Sequence, residues 1–93
     1  MEITGIITHA LPVREGTTKT GAPWKIATYV VETVEQYPKH LCFDVSDGSS
    51  GRIERLNIQL GEKYTIYFDI DAHSTTDGRW FNSIRAYDAR RAE

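Results

Sequence analysis

The sequence predicts an all-β domain with one short helix. Apolar residues recur mainly with a period of two, and helical spacing is nearly absent. The strongest run, Trp24-Lys25-Ile26-Ala27-Thr28-Tyr29-Val30-Val31-Glu32-Thr33-Val34, is rich in β-branched and aromatic side chains. Clusters of Gly, Pro, Asp and Ser separate such runs, as turns require. A chain of 93 residues has room for a single domain with a modest core.

Each element follows in order. Residues 2–13 place Ile3, Ile6, Ile7, Leu11 and Val13 around Gly5, and a glycine inside a strand marks a bend or bulge. Residues 14–23, Arg-Glu-Gly-Thr-Thr-Lys-Thr-Gly-Ala-Pro, read as a loop. In the second strand, 24–34, Tyr29 and Val31 fall on one face, with Trp24, Ile26, Thr28 and Val30 on the other. Residues 35–38 connect it to a third strand, 39–46, whose core face is Leu41, Phe43 and Val45. Asp47 to Gly51 form a loop able to cap a helix. Ile53, Leu56 and Leu60 then predict a helix of two to three turns over 52–60, closed by Gly61. Residues 62–73 put Tyr64, Ile66, Phe68 and Ile70 on one face of a fourth strand. A hairpin loop, 74–78, leads to the last strand, 79–88. Three strands, a helix and two strands is the order of a five-stranded Greek-key OB barrel. The domain is expected over residues 1–88, with 89–93 as a fraying tail.

Composition narrows the function. Hydrophobic residues are 40% and charged residues 26%, ordinary for a soluble domain. No apolar run is long enough for a membrane helix or a signal-peptide core, so a cytoplasmic chain with no membrane partner is expected. Cys42 alone cannot form an internal disulfide. His9, His40 and His73 are widely spaced and lack metal-ligand spacing, so neither a metal nor a cofactor is expected. No P-loop, G-x-S-x-G or H-E-x-x-H occurs, and Asp69 and Asp71 read as exposed acidic decoration. A non-catalytic module is the expectation.

The net charge of −2 is not the bulk signature of a nucleic-acid binder. The distribution is more telling. Residues 78–93 are net basic, and residues 62–77 are net acidic. Cations stand beside rings at expected strand ends: Trp24 with Lys25, Tyr37 with Lys39, and Arg79 with Trp80 and Phe81. Arg14 and Lys19 lie in the first loop. Binding a single strand takes these two ingredients, cations for phosphates and flat rings for bases. Each residue also has a plainer role. Trp24 could plug the barrel mouth, and Tyr37 could anchor a turn. Trp80 and Phe81 must point to opposite faces. Arg85 could meet phosphate or pair with Asp69 or Asp71. His40 reads as solvated and Cys42 as a half-buried thiol.

Two resemblances bear on this. Gly61-Glu62-Lys63-Tyr64-Thr65-Ile66-Tyr67-Phe68-Asp69-Ile70, followed by Asp77-Gly78-Arg79-Trp80-Phe81, is similar in layout to bacterial single-stranded DNA-binding proteins. The whole chain also resembles an uncharacterised family of short bacterial OB-fold proteins. That likeness rests on Trp24-Lys25, Glu32-Thr33, Tyr37-Pro38-Lys39 and Gly78-Arg79-Trp80-Phe81-Asn82-Ser83-Ile84-Arg85-Ala86. It implies an OB fold with a nucleic-acid role. The acidic, aromatic-tipped tail by which the DNA-binding proteins recruit partners has no counterpart in Arg90-Arg91-Ala92-Glu93.

The expected function is therefore binding of single-stranded DNA, with RNA as the other candidate, and with little sequence preference. Lys19, Trp24, Lys25, Lys39, Arg79, Trp80, Phe81 and Arg85 are the expected contacts. The rival is a protein-interaction or assembly module. An outward patch of Trp24, Ile26 and Val30 would favour it, and would also favour a homodimer or higher homo-oligomer.

Overall fold

The computed structural model describes residues 1–47 and 51–92. Its elements are β1 (Glu2–Ala10), β2 (Arg14–Thr17), β3 (Pro23–Thr33), β4 (His40–Ser46), α1 (Arg52–Leu56), β5 (Lys63–Ser74) and β6 (Trp80–Arg91). The protein is mostly β, with six strands in one sheet and one short helix.

The pairings return on themselves. β1 pairs antiparallel with both β3 and β5. β3 pairs with β4, and β5 with β6, also antiparallel. β6 then meets β4 in parallel at Arg85 and Asp44, which closes the circuit. Gly5 stands where β1 lies between Thr33 and Tyr64. A Cβ there would sit 2.2 Å from the Glu32 carbonyl oxygen, so only glycine allows this approach. The β1–β3 register then slips between Ile7 and His9, a bulge that lets the strand turn.

Period-two burial builds the core inside this circuit. Ile7, Val31, Phe43, Val45 and Ile66 are fully buried, and Ala27, Tyr29, Tyr64 and Ala86 pack with them. Each large apolar side chain so buried contributes ~1.5–3 kcal/mol. The Tyr29 and Phe43 rings lie 5.7 Å apart. Burial pushes the Tyr29 phenol above its ordinary value, and nearby Tyr64 pushes it further. Tyr64 also ties down the chain after the helix. Its hydroxyl accepts from the Gln59 N–H (2.9 Å) and donates to the Asn57 carbonyl (3.3 Å).

Four expectations are corrected. Residues 14–17 are not loop. They form β2, which takes over the edge of β3 where β1 leaves it, pairing Arg14 with Ile26 and Thr17 with Pro23. A short polar edge strand shows no alternation to find. The helix stops at Leu56, well before residue 60. Asn57 turns left-handed (φ 46°), and its N–H donates to the Ile53 carbonyl. The chain must leave the helix there because Ile58 is needed in the core, while Leu60 is 61% exposed. Asp47 does cap the first turn, accepting from the Ile53 N–H at 2.9 Å. Gly48, Ser49 and Ser50 of that expected capping loop lie outside the described residues. The last strand runs past Asp88 to Arg91, held by pairing with Tyr64. Finally, Ile70 is 46% exposed rather than core. The β5–β6 hairpin extends beyond the body, and from Asp69 to Asn82 every residue is exposed.

Candidate nucleic-acid interface

The outer face of β3 carries Trp24, Ile26, Thr28 and Val30, because Tyr29 and Val31 take the inner one. Registered neighbours share that face. Arg14 lies beside Ile26 and Gly16 beside Trp24 on β2. Asp44 lies beside Thr28 and Cys42 beside Val30 on β4. Arg85 on β6 pairs with Asp44, and Ser83 and Phe81 continue its row outward along the hairpin.

One end of this face is built around Trp24. Its indole lies over Gly16, where an added Cβ would stand 2.7 Å from the ring. The glycine is what lets the ring lie flat on the edge strand. Trp24 is 39% exposed and is not a buried plug. It borders an open cavity of about 410 Å³ lined also by Glu15, Thr17, Pro23, Lys25 and Asp47. Lys19 sits in the β2–β3 turn, which Thr18 closes: its carbonyl accepts from the Gly21 N–H and its own N–H donates to Ala22. Lys25 alternates to the other side of β3, opposite Glu15, and so does not share the Trp24 face.

The other end holds Tyr37 and Lys39. Lys39 precedes β4, and β4 runs antiparallel to β3. A cation opening one strand and a cation opening the next must then stand at opposite ends. From Trp24 to Thr33 is ~30 Å of extended chain. The Lys39 N–H donates to Thr33 Oγ1 at 2.8 Å, which fixes Lys39 at that far end. Lys39 is thus separated from Trp24, whose cavity Lys25 borders. β6 runs parallel to β4, so its first residues point towards the same far end. Arg79, Trp80 and Phe81 therefore point away from the Trp24 end, on the projecting hairpin, while the cavity beside Tyr37 and Lys39 is lined by Glu35 and Gln36. Phe81 (48% exposed) lies on the Arg85 side of the hairpin, its ring 6.3 Å from His73. Trp80 (70% exposed) lies on the reverse side with Ile70 and Ile84.

Charges on the face are mixed. Arg14 stands 3.8 Å from Asp44, Arg79 stands 3.3 Å from Asp77, and His40 stands 3.3 Å from Glu32. Lys19, Lys25, Lys39 and Arg85 make no ion pair among the described residues. Register sets Arg85 opposite Asp69, yet the pair the sequence offered does not close. Cys42 is exposed, not half-buried. Ile26 and Val30 are half-buried, so the expected apolar patch is thinner than its residue list. Among the described residues no group of His, Cys, Asp and Glu is placed to hold a metal ion, and no helix is long and apolar enough to cross a membrane. Gly16, Thr28 and Asp44 are site residues the sequence reading passed over. The polar pair Thr28 and Asp44 in the outward rows of two strands was their only signal.

A family model described as a domain of unknown function, DUF3127, matches residues 2–90. The chain belongs to the DUF3127 family. The match runs from β1 through nearly all of β6, so both ends of the outer face lie within the family domain. No curated protein matches the chain significantly.

Proposed function

We propose that the protein is a non-catalytic OB-fold module that binds single-stranded nucleic acid, DNA in the first place, across the outer face of β3 and β4. The closed pairing circuit β1–β3–β4–β6–β5, with β4 and β6 parallel and α1 between β4 and β5, supports reading the sheet as a five-stranded Greek-key barrel whose first strand is broken into β1 and β2. In that fold the strand face between the first loop and the last hairpin is the oligonucleotide groove.

The observation that carries the reading is the pair of exposed aromatic ends. Trp24 on Gly16 stands at one end with Arg14 and Lys19. Phe81 stands on the hairpin with Arg79 two residues before it, and Lys39 lies at the β3–β4 connection. Arg85 lies between Trp24 and Phe81. Rings with cations at both ends of a shallow face suit stacking with phosphate tracking. The net charge of −2 is unevenly spread: residues 62–77 are net acidic and residues 78–93 net basic, with Asp69 and Asp71 in register with Arg85 and Ser83.

The test is anisotropy of a labelled thirty-nucleotide oligo-dT against salt. With about four phosphate contacts, log K falls against log salt with a slope of about −3. A flat response, or no binding of this strand and of mixed-sequence DNA and RNA strands at tens of micromolar protein, overturns the reading.

A second reading has its own observation. Ile70 and Trp80 are exposed on one side of the projecting hairpin, and half-buried Ile84 joins that side to the core. We propose self-association through that side, which would make a homodimer and lengthen the binding face. Sedimentation of the wild type against Trp80→Ala tests this, and an unchanged monomer in both contradicts it.

A further inference from the structure

Resting on the nucleic-acid reading, we propose that Asp44 is a base-selecting residue that favours guanine over thymine. A carboxylate in the middle of a face meant for phosphates calls for a reason. Asp44 occupies that middle, with Thr28 beside it on β3 and Arg85 beside it on β6. Its side chain is 38% exposed and so reaches the surface.

The carboxylate is held in place. Thr28, itself buried, donates its hydroxyl to Oδ1 at 2.6 Å, a short charge-assisted bond. The Arg14 guanidinium stands 3.8 Å from the same oxygen. Oδ2 accepts no hydrogen bond among the described residues. A carboxylate offers about four lone-pair sites. Asp44 therefore presents a fixed acceptor edge with capacity to spare, flanked by two arginines able to hold the strand.

Phosphate is repelled by this edge, whereas a base edge rich in donors is not. Single-stranded bases expose their Watson–Crick edges to a protein surface. Guanine offers N1–H and the N2 amino group side by side, which matches both oxygens of one carboxylate. Thymine offers a single N3–H between two carbonyl oxygens, which the carboxylate repels. Cytosine and adenine offer an amino group beside an acceptor nitrogen and fall between. A matched bidentate contact discriminates by roughly five- to a hundredfold.

The test compares twelve-nucleotide strands at fixed salt by anisotropy. One is all dT, one carries isolated dG within dT, and one replaces that dG by deoxyinosine, which lacks the N2 amino group. Wild type should bind the dG strand at least about fivefold tighter than the others. Asp44→Asn should bring the three strands together. Equal wild-type binding to all three overturns the assignment while leaving the nucleic-acid reading intact. So does an Asp44→Asn protein that tightens every strand by one common factor, since Asp44 would then be only a repelling charge. Binding to none of the strands overturns both. The inosine comparison acts on the ligand, so it decides the question even should Asp44→Asn fold poorly.

Discussion

The two halves of the β5–β6 hairpin are made of the same two strands and behave as different materials. Near the body, Ile66 and Ala86 are buried and help close the circuit. Beyond Phe68 the same ladder continues through Ile70–Ile84 to Ser74–Trp80, yet past the half-buried Ile84 and Ser83 every residue is exposed. Backbone pairing is common to both halves, so pairing alone does not explain why the outer half exists. The body gains its stability from apolar burial, and the arm gains little. Three exposed large apolar side chains, Ile70, Trp80 and Phe81, are spent where they do not stabilise the fold. The difference is what supports the proposal that the arm is a surface for binding.

Substitutions can break that contrast or sharpen it. The largest effect is expected in the body. Gly5→Ala drives a Cβ into the Glu32 carbonyl of β3, and should cost about 3 kcal/mol, a fall in Tm on the order of 15 °C by thermal melting. In the arm, Trp80→Ala and Phe81→Ala should change stability by less than ~0.5 kcal/mol. Phe81→Ala should nonetheless weaken oligo-dT binding by roughly five- to a hundredfold in anisotropy titrations, the loss of one stacking platform. Equal stability losses in arm and body would erase the distinction.

Smaller effects refine it. Gly16→Ala should lift the Trp24 ring off β2 and weaken binding by about threefold, a fraction of a full platform, with the fold kept by circular dichroism. The smallest concerns the hairpin loop. The Thr75 hydroxyl holds the Asp77 carboxyl below its ordinary range. A depressed carboxyl adds stability above the ordinary carboxylate range and loses it as pH falls through the folded value. The Thr75–Gly78 amide signals should therefore stay constant by NMR near neutral pH and move only in acid below about pH 4. Movement near pH 6 would contradict that assignment.

Much of the body was legible in the sequence because alternation and burial are one signal seen twice. Tyr29, Val31, Phe43, Val45 and Ile66 fall on the inner face as their spacing demands. β2 was not legible, since a four-residue polar edge carries no alternation, and its strand character comes from β3 and from the Trp24 ring on Gly16. The early helix stop was hidden for a similar reason: Leu60 fits helical spacing, but Ile58 wins the core. At the site, the rings and cations were visible one by one, and Trp80 and Phe81 do point to opposite faces. Their grouping was not visible. Lys25 and Lys39 each open a strand, and only the antiparallel register separates them. Asp44 stayed hidden because its meaning comes from Thr28, Arg14 and Arg85, which three other strands deliver.

The chain has two tryptophans, Trp24 on the outer face of β3 and Trp80 on the reverse side of the arm that carries Phe81. Trp80→Phe leaves Trp24 as the sole indole reporter, and Trp24→Phe leaves Trp80. The most direct test of the account is fluorescence quenching of these two single-tryptophan proteins by one oligo-dT at low and at moderate salt. The account predicts that Trp24 is quenched and that Trp80, on the arm, responds over the same oligo-dT concentrations, with both curves shifting together as salt rises. Silence from both reporters at saturating oligo-dT would contradict it, and so would quenching of the arm alone.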